Sequence, residues 1–286
     1  MATGTSGSIR GSVCGSVFIA LLLASATALP ARAFQQTPPA PVPTTGDEHS
    51  DLAKQVQNPF ADMILFPLQD ITGIGIGPDA EGNGNELNIQ PVFPIRISEG
   101  WNLLMRPVLP VAYTSVPESA FGLGDLDLEP FLSPISSSSV TWGVGPIVGI
   151  PTATDDAVGT GKWTIGPSFA VFAHSGPWAF SMIANQQWDY AGDSARDSVS
   201  LLQLQPSLSY ILGNGWFITS GPLISADWTQ PAGQQWVVPL GAGVGRVVSL
   251  GQQKVNLQAE FYGNVVHPDE GPEKLLILTL TLLFPR

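Results

Sequence analysis

Three carboxylates recur at alternate positions in the stretch GDLDLEPFLS: Asp125, Asp127 and Glu129, interleaved with Leu126, Leu128 and, further on, Leu132. Successive side chains of a strand point to opposite faces, so this stretch has one acidic face and one greasy face. Arg96 and Arg106 fall on the polar parity of the two preceding strand-like segments. Counting back from the intervening turn sets Arg106 level with Glu129, close enough to pair across a ladder. Asp125 and Asp127 are then left uncompensated. Fixed carboxylates along a narrow passage attract cations and repel anions, so the chemistry suggested is selection of solutes rather than bond making. Gln203 and Gln205, opposed by Leu202, Leu204, Leu208 and Tyr210, repeat the pattern with uncharged polar groups, and Glu260 extends it on a later segment. These are the candidate pore-lining residues.

Patterns that would mark catalysis or a cofactor do not hold up. GIGIGPDAEG contains Gly73, Gly75 and Gly77, but no helix follows to receive a dinucleotide. AVGTGKWT ends like a phosphate loop, yet Asp156 stands where the first glycine belongs. His49, His174 and His267 fall in a tail, at a strand end and in a loop, with no zinc spacing. His174 and Ser175 would point to opposite faces of one strand. No catalytic residue, metal site or cofactor is therefore expected. A barrel-embedded lipid hydrolase and a structural or adhesive barrel without transport are the alternatives. A Ser175 substitution in a hydrolysis assay tests the first, and solute flux in liposomes tests the second.

The positioning elements are short alternating segments. From Leu65 onward they run over about 65–77, 86–98, 101–113, the GDLDLEPFLS stretch, 140–151, 162–174, 178–190, 200–211, 216–228, 236–247, 254–265 and 274–284. The count is twelve, and closed bacterial membrane barrels use even numbers of antiparallel strands. The last, KLLILTLTLLF, puts Leu276, Leu278, Leu280, Leu282 and Phe284 on one face and Thr279 and Thr281 on the other. A bilayer is crossed by about 9–11 tilted residues, so this leucine face is expected to look at lipid. Connections after even-numbered segments are mostly short, whereas those after odd-numbered ones are longer and hold most loop carboxylates. That asymmetry predicts a bacterial outer-membrane barrel with both termini on the periplasmic side. The fold class is all-β, a closed antiparallel transmembrane β-barrel of about 12 strands with a short N-terminal helix.

Tryptophans mark both rims. Trp101, Trp142, Trp178 and Trp216 open strands just after short turns, while Trp163, Trp188, Trp228 and Trp236 lie beside the longer loops. Interfacial girdles place aromatics this way. Prolines run against the pattern: Pro91, Pro107, Pro130, Pro146, Pro167, Pro206, Pro222 and Pro239 all fall within strands, where each removes a ladder donor. All but Pro239 lie on the lipid-facing parity, and bulges or bends are expected there.

The N-terminus reads as a secretory leader over residues 1–33: Arg10, an apolar run from Val17 to Leu23, and an Ala31-Arg32-Ala33 exit. Cys14, the single cysteine, lies inside it, so the mature chain would have no disulfide. The formal charge of −12 disfavours nucleic acid as a partner. Residues 34–60 read as a proline-rich linker followed by a short helix, with Ser50 as N-cap and an end at Asn58-Pro59; residues 61–286 form the barrel.

The stretches LAKQVQNPFADMILFPLQ, NIQPVFPI, WNLLMRPVLPV, FGLGDLDLEPFLSP, WGVGPIVGIPTATDD and WTQPAGQQWVVPLGAGVG resemble a family of Gram-negative outer-membrane β-barrels. Its members are labelled as transporters, as phenol meta-degradation-pathway proteins and, misleadingly, as neuromedin U. The resemblance covers nearly all of the mature chain. It implies an outer-membrane location and uptake of hydrophobic or aromatic small molecules, and offers no catalytic residues to carry over. The partners implied are outer-membrane lipid, a small-molecule solute and the barrel-assembly machinery. Such barrels commonly end on an aromatic residue; here Phe284 is followed by Pro285 and Arg286.

Overall fold

A computed structural model describes residues 46–285, apart from 117, 136 and 137. The leader and most of the linker lie outside the described residues. One helix, α1 (Gly46–Val56), precedes fifteen strands: β1 (Met63–Ile76), β2 (Gly82–Ile89), β3 (Phe93–Arg96), β4 (Trp101–Thr114), β5 (Ala120–Leu123), β6 (Leu126–Pro134), β7 (Val140–Ile150), β8 (Lys162–Ser175), β9 (Trp178–Gly192), β10 (Ser200–Gly213), β11 (Trp216–Ser220), β12 (Ile224–Asp227), β13 (Trp236–Leu250), β14 (Gln253–Val266) and β15 (Lys274–Pro285). The pairs β2–β3, β5–β6 and β11–β12 are each one wall crossing broken in the middle, so the wall has twelve staves. All pairing is antiparallel, and β15 closes the ring on β1, Leu280 opposite Leu68. Closure leaves no free edge to solvate in hydrocarbon.

Strand parity holds around the wall. On β15 the buried side chains are Ile277, Thr281 and Leu283, and the leucines between them turn outward. The rim where β1 begins and β15 ends, here the near rim, carries tight turns such as 176–177 and 214–215. The far rim carries longer connections, the longest being 151–161.

The prolines act differently from expectation. Leu128 pairs with Val148 and Leu132 with Val144, with no rung between them beside Pro130 and Pro146, yet the register is unchanged. The same unshifted gap separates Ile89–Leu109 from Phe93–Met105 at Pro91, and Leu208–Ser220 from Leu204–Ile224 at Pro206 and Pro222. A missing donor deletes a rung without inserting a residue. Of the eight in-strand prolines, only Pro239, the one on the inward parity, sits beside a register shift of the kind a bulge makes. Glycine lets the chain close in at these gaps: a Cβ on Gly145 would stand 1.7 Å from the Pro130 carbonyl oxygen. Side chains replace part of the lost bonding around Pro222, where Gly221 N–H donates to the Tyr262 hydroxyl at 2.7 Å and Ser220 Oγ donates to the Gly241 carbonyl at 2.7 Å.

α1 starts at Gly46, so Ser50 lies within the helix rather than capping it. Its Leu52 and Ala53 are buried with Met63, Leu65, Leu104, Phe131, Ile211, Phe217, Val247 and Leu283. These wall residues all point inward near the near rim. The apolar core of the protein is therefore inside the barrel at that end, with α1 as its centre.

Candidate functional site

Beyond the apolar core the inward face becomes polar. A cavity of about 260 Å³ occupies the middle of the barrel, lined by Arg106, Asp125, Asp127, Glu129, Gln203 and Gln205 among others. It shares Gln69, Gln90, Ile183 and Gln205 with a cavity that reaches Val56 at the end of α1 and Gln57 just after it. Toward the far rim it shares Ile71, Glu86, Pro110 and Asp125 with a third, walled on one side by residues 157–160. The three form a file from the long loops to the helix.

The central crossing is charged. β4 and β6 set Arg106 opposite Glu129, and the two are ion-paired. Glu129 is fully buried and also accepts from Ser168 Oγ at 3.0 Å and Asn185 Nδ2 at 3.1 Å. Arg106 donates on to Gln90 Oε1 at 2.8 Å, and Gln90 Nε2 to Gln69 Oε1 at 3.1 Å. A chain of hydrogen bonds thus runs from β1 through β4 and β6 to β8 and β9. Burial of such a pair is tolerable only with its remaining hydrogen bonds made, as here.

Asp125 has a different task from Asp127. Its carboxylate accepts from Ala153 N–H at 3.1 Å, Thr160 N–H at 2.6 Å and Thr160 Oγ1 at 2.7 Å. It therefore anchors the 151–161 loop and is not a bare pore charge. Arg196 holds the same loop from the far rim, donating to the carbonyls of Asp156, Gly159 and Thr160. Asp127 has one side-chain partner, Gln187 Nε2 at 3.3 Å, and faces the cavity.

Two of the sequence-derived residues lie off this path. Arg96 ends β3 at the near rim, where its guanidinium folds onto the carbonyls of Ser98 and Glu99. Strand parity gave it the inward side, but its height on the stave puts it beyond the cavity. Glu260 faces inward without lining the central cavity; it accepts from the Tyr262 hydroxyl and from Gln258 Nε2, each at 2.6 Å. Seven of the eight tryptophans are exposed on the outer wall, and Trp236 is half-buried against Trp228. Two further contacts lie outside the sequence-derived set, the Arg196 latch and the Gln69–Gln90 link. Arg196 sits in a loop without periodicity, whereas Gln69 and Gln90 were readable from parity.

A family model described as "Putative MetA-pathway of phenol degradation" matches residues 75–264. The chain belongs to this family. No curated protein matches it. Among solved structures, this family member resembles an outer membrane channel from Pseudomonas putida F1 at 16% identity, covering 78% of this chain and 94% of that one, with a TM-score of 0.59. It also aligns with the NanC porin at 8% identity (77% and 98% covered, TM-score 0.48). The outer membrane phospholipase dimer of Salmonella typhi aligns at 12% identity (82% and 98% covered, TM-score 0.43). At these identities the likeness is one of fold.

Proposed function

We propose that this family member is a channel of the bacterial outer membrane that passes small solutes, prefers cations to anions, and is closed at its periplasmic end by α1. The observation that carries this is the file of polar cavities leading from the far-rim loops to the helix. Glu86, Asp125, Asp127 and Glu129 line the central cavity against one cation among the described residues, Arg106, which is committed to Glu129. The excess negative potential falls at Asp127, in a bore whose low-dielectric wall strengthens it. Amides beside Ile71, Ile147, Ile183 and Ile277 suit solutes with one polar edge and one apolar face, including the aromatic compounds the family resemblance implies. Twelve staves leave a constricted path, between the filled eight-stranded and the wide sixteen-stranded barrels.

Reversal potentials in a salt gradient test this reading, on both the mature chain and a variant lacking residues 34–58. Cation preference is expected, with Asp127→Asn losing much of it. Anion selectivity, or no conductance from either protein, would overturn the proposal. A flux screen across aromatic acids, fatty acids and sugars then identifies the solute.

A further inference from the structure

The outer wall is not uniform around its circumference. Asp70 lies on the parity of Phe66 and Leu68 in β1, and its register partners Leu278 and Leu87 flank it on the outward leucine surface. Asn85 Nδ2 donates to both of its carboxylate oxygens at 3.1 Å and to Thr72 Oγ1 at 3.1 Å, and Thr72 Oγ1 lies 3.3 Å from Asp70 Oδ1. Asn85 pairs with Tyr113, so Asp70 stands one outward position deeper than an aromatic at the far rim. A carboxylate held there faces hydrocarbon, where a charge without protein cover is disfavoured.

A second, independent feature coincides with it. The eight tryptophans lie on β4, β7, β8, β9, β11, β13 and just after β12. The contiguous arc β14–β15–β1–β2/β3 carries none at either rim. Its outward aromatics are Phe66, Phe93, Phe261 and Phe284, which lack the polar edge that seats tryptophan and tyrosine at a membrane interface. This third of the wall lacks the anchors of a lipid-exposed face and bears a polar cluster that lipid does not satisfy.

We infer that this arc is the contact surface for a second copy of the chain in the membrane, in a two-fold pair. In such a pair each patch meets itself, so it must carry its own complement. The arc does: Lys274, outward on β15 and two outward positions nearer the rim than Leu278, makes no ion pair among the described residues, and Asp70 has no cation. A two-fold axis along the membrane normal keeps each residue at its own depth, so the long Lys274 side chain of one copy reaches down the wall toward Asp70 of the other, with leucines and phenylalanines packed around the pair. Four tilted staves span roughly 20–25 Å and the apolar band is about 25 Å tall. That footprint is roughly 500–600 Å² per partner, at the low end of the sizes specific contacts reach.

The test uses the mature protein in phospholipid vesicles at graded dilution, read by energy transfer between labelled copies and by a bifunctional thiol reagent. Single cysteines are introduced at Leu278, on the arc, and at Val144, exposed on the opposite wall. Leu278→Cys is expected to cross-link and Val144→Cys to remain single. Asp70→Leu, which removes a charge from the wall and should insert at least as well, is expected to weaken pairing about tenfold. Asp70→Lys and Lys274→Asp should each do the same, and the double exchange should restore it. Monomers at every dilution, equal linkage at Val144, or a monomer that instead retains lipopolysaccharide on the arc would overturn the inference.

Discussion

Glu129 shows how much one buried side chain can hold. It has no exposure to water and binds three partners from three strands, Arg106, Ser168 and Asn185. Removing one member of a buried pair leaves the other charged and unpaired, at a cost of about 3–5 kcal/mol. Glu129→Ala is therefore expected to lower the free energy of folding into vesicles, read from urea titration, by that much. Glu129→Gln with Arg106→Leu should lose considerably less, because no orphaned charge remains. Asp125 makes a contrasting case only a few residues away. Asp125→Asn should change conductance more than selectivity, since it frees the 151–161 loop at Ala153 and Thr160. Single-channel recordings separate the two effects: a selectivity change in Asp125→Asn equal to that in Asp127→Asn would contradict the division of labour.

At the scale of elements, β15 and α1 make opposite demands on their sequences. β15 needs alternation: Leu280→Arg places a cation on the lipid side near mid-bilayer at a cost of about 2–4 kcal/mol. Thr279→Arg enters the polar cavity beside α1 instead. Folding yields in vesicles should fall for the first variant and much less for the second. α1 needs one apolar stripe for the barrel interior and polar grips at its edge. Glu48 is paired with Lys254 at 2.9 Å, and His49 bonds Ser249 Oγ at 3.0 Å. The Lys254 ammonium holds the Glu48 carboxyl below its ordinary range. A depressed carboxyl favours the docked helix at pH values above the free carboxyl pKa, and that contribution is lost as pH falls below it through the lowered pKa of the paired group. Conductance should accordingly rise on acidification, less so in Lys254→Gln, and Leu52→Glu should raise it at neutral pH. Identical currents from Leu52→Glu and the parent chain would mean that α1 does not close the bore.

The whole molecule is a ring whose inside is divided: an apolar end filled by α1, then a polar bore capped by a pinned loop. The ring itself was legible in the sequence. Period-two alternation in KLLILTLTLLF, twelve such segments, and tryptophans at alternate ends follow from local chemistry, because a strand's two faces meet two different solvents whatever lies across the barrel. Asp70 also stood on the greasy parity of β1, although without the closing pair with β15 nothing marked it as unusual. What parity cannot supply is height and distant company. Arg96 and Arg106 share a parity, yet one ends at the rim and the other lines the central cavity. Asp125 and Asp127 are neighbours on one face, yet a loop from two strands later claims the first and leaves the second. Leu104, Phe131 and Phe217 are as inward as Gln205, but they are apolar because a helix from far upstream in the chain fills that end. Alternation is set residue by residue, whereas the division of the bore depends on contacts that form only once the ring has closed around α1.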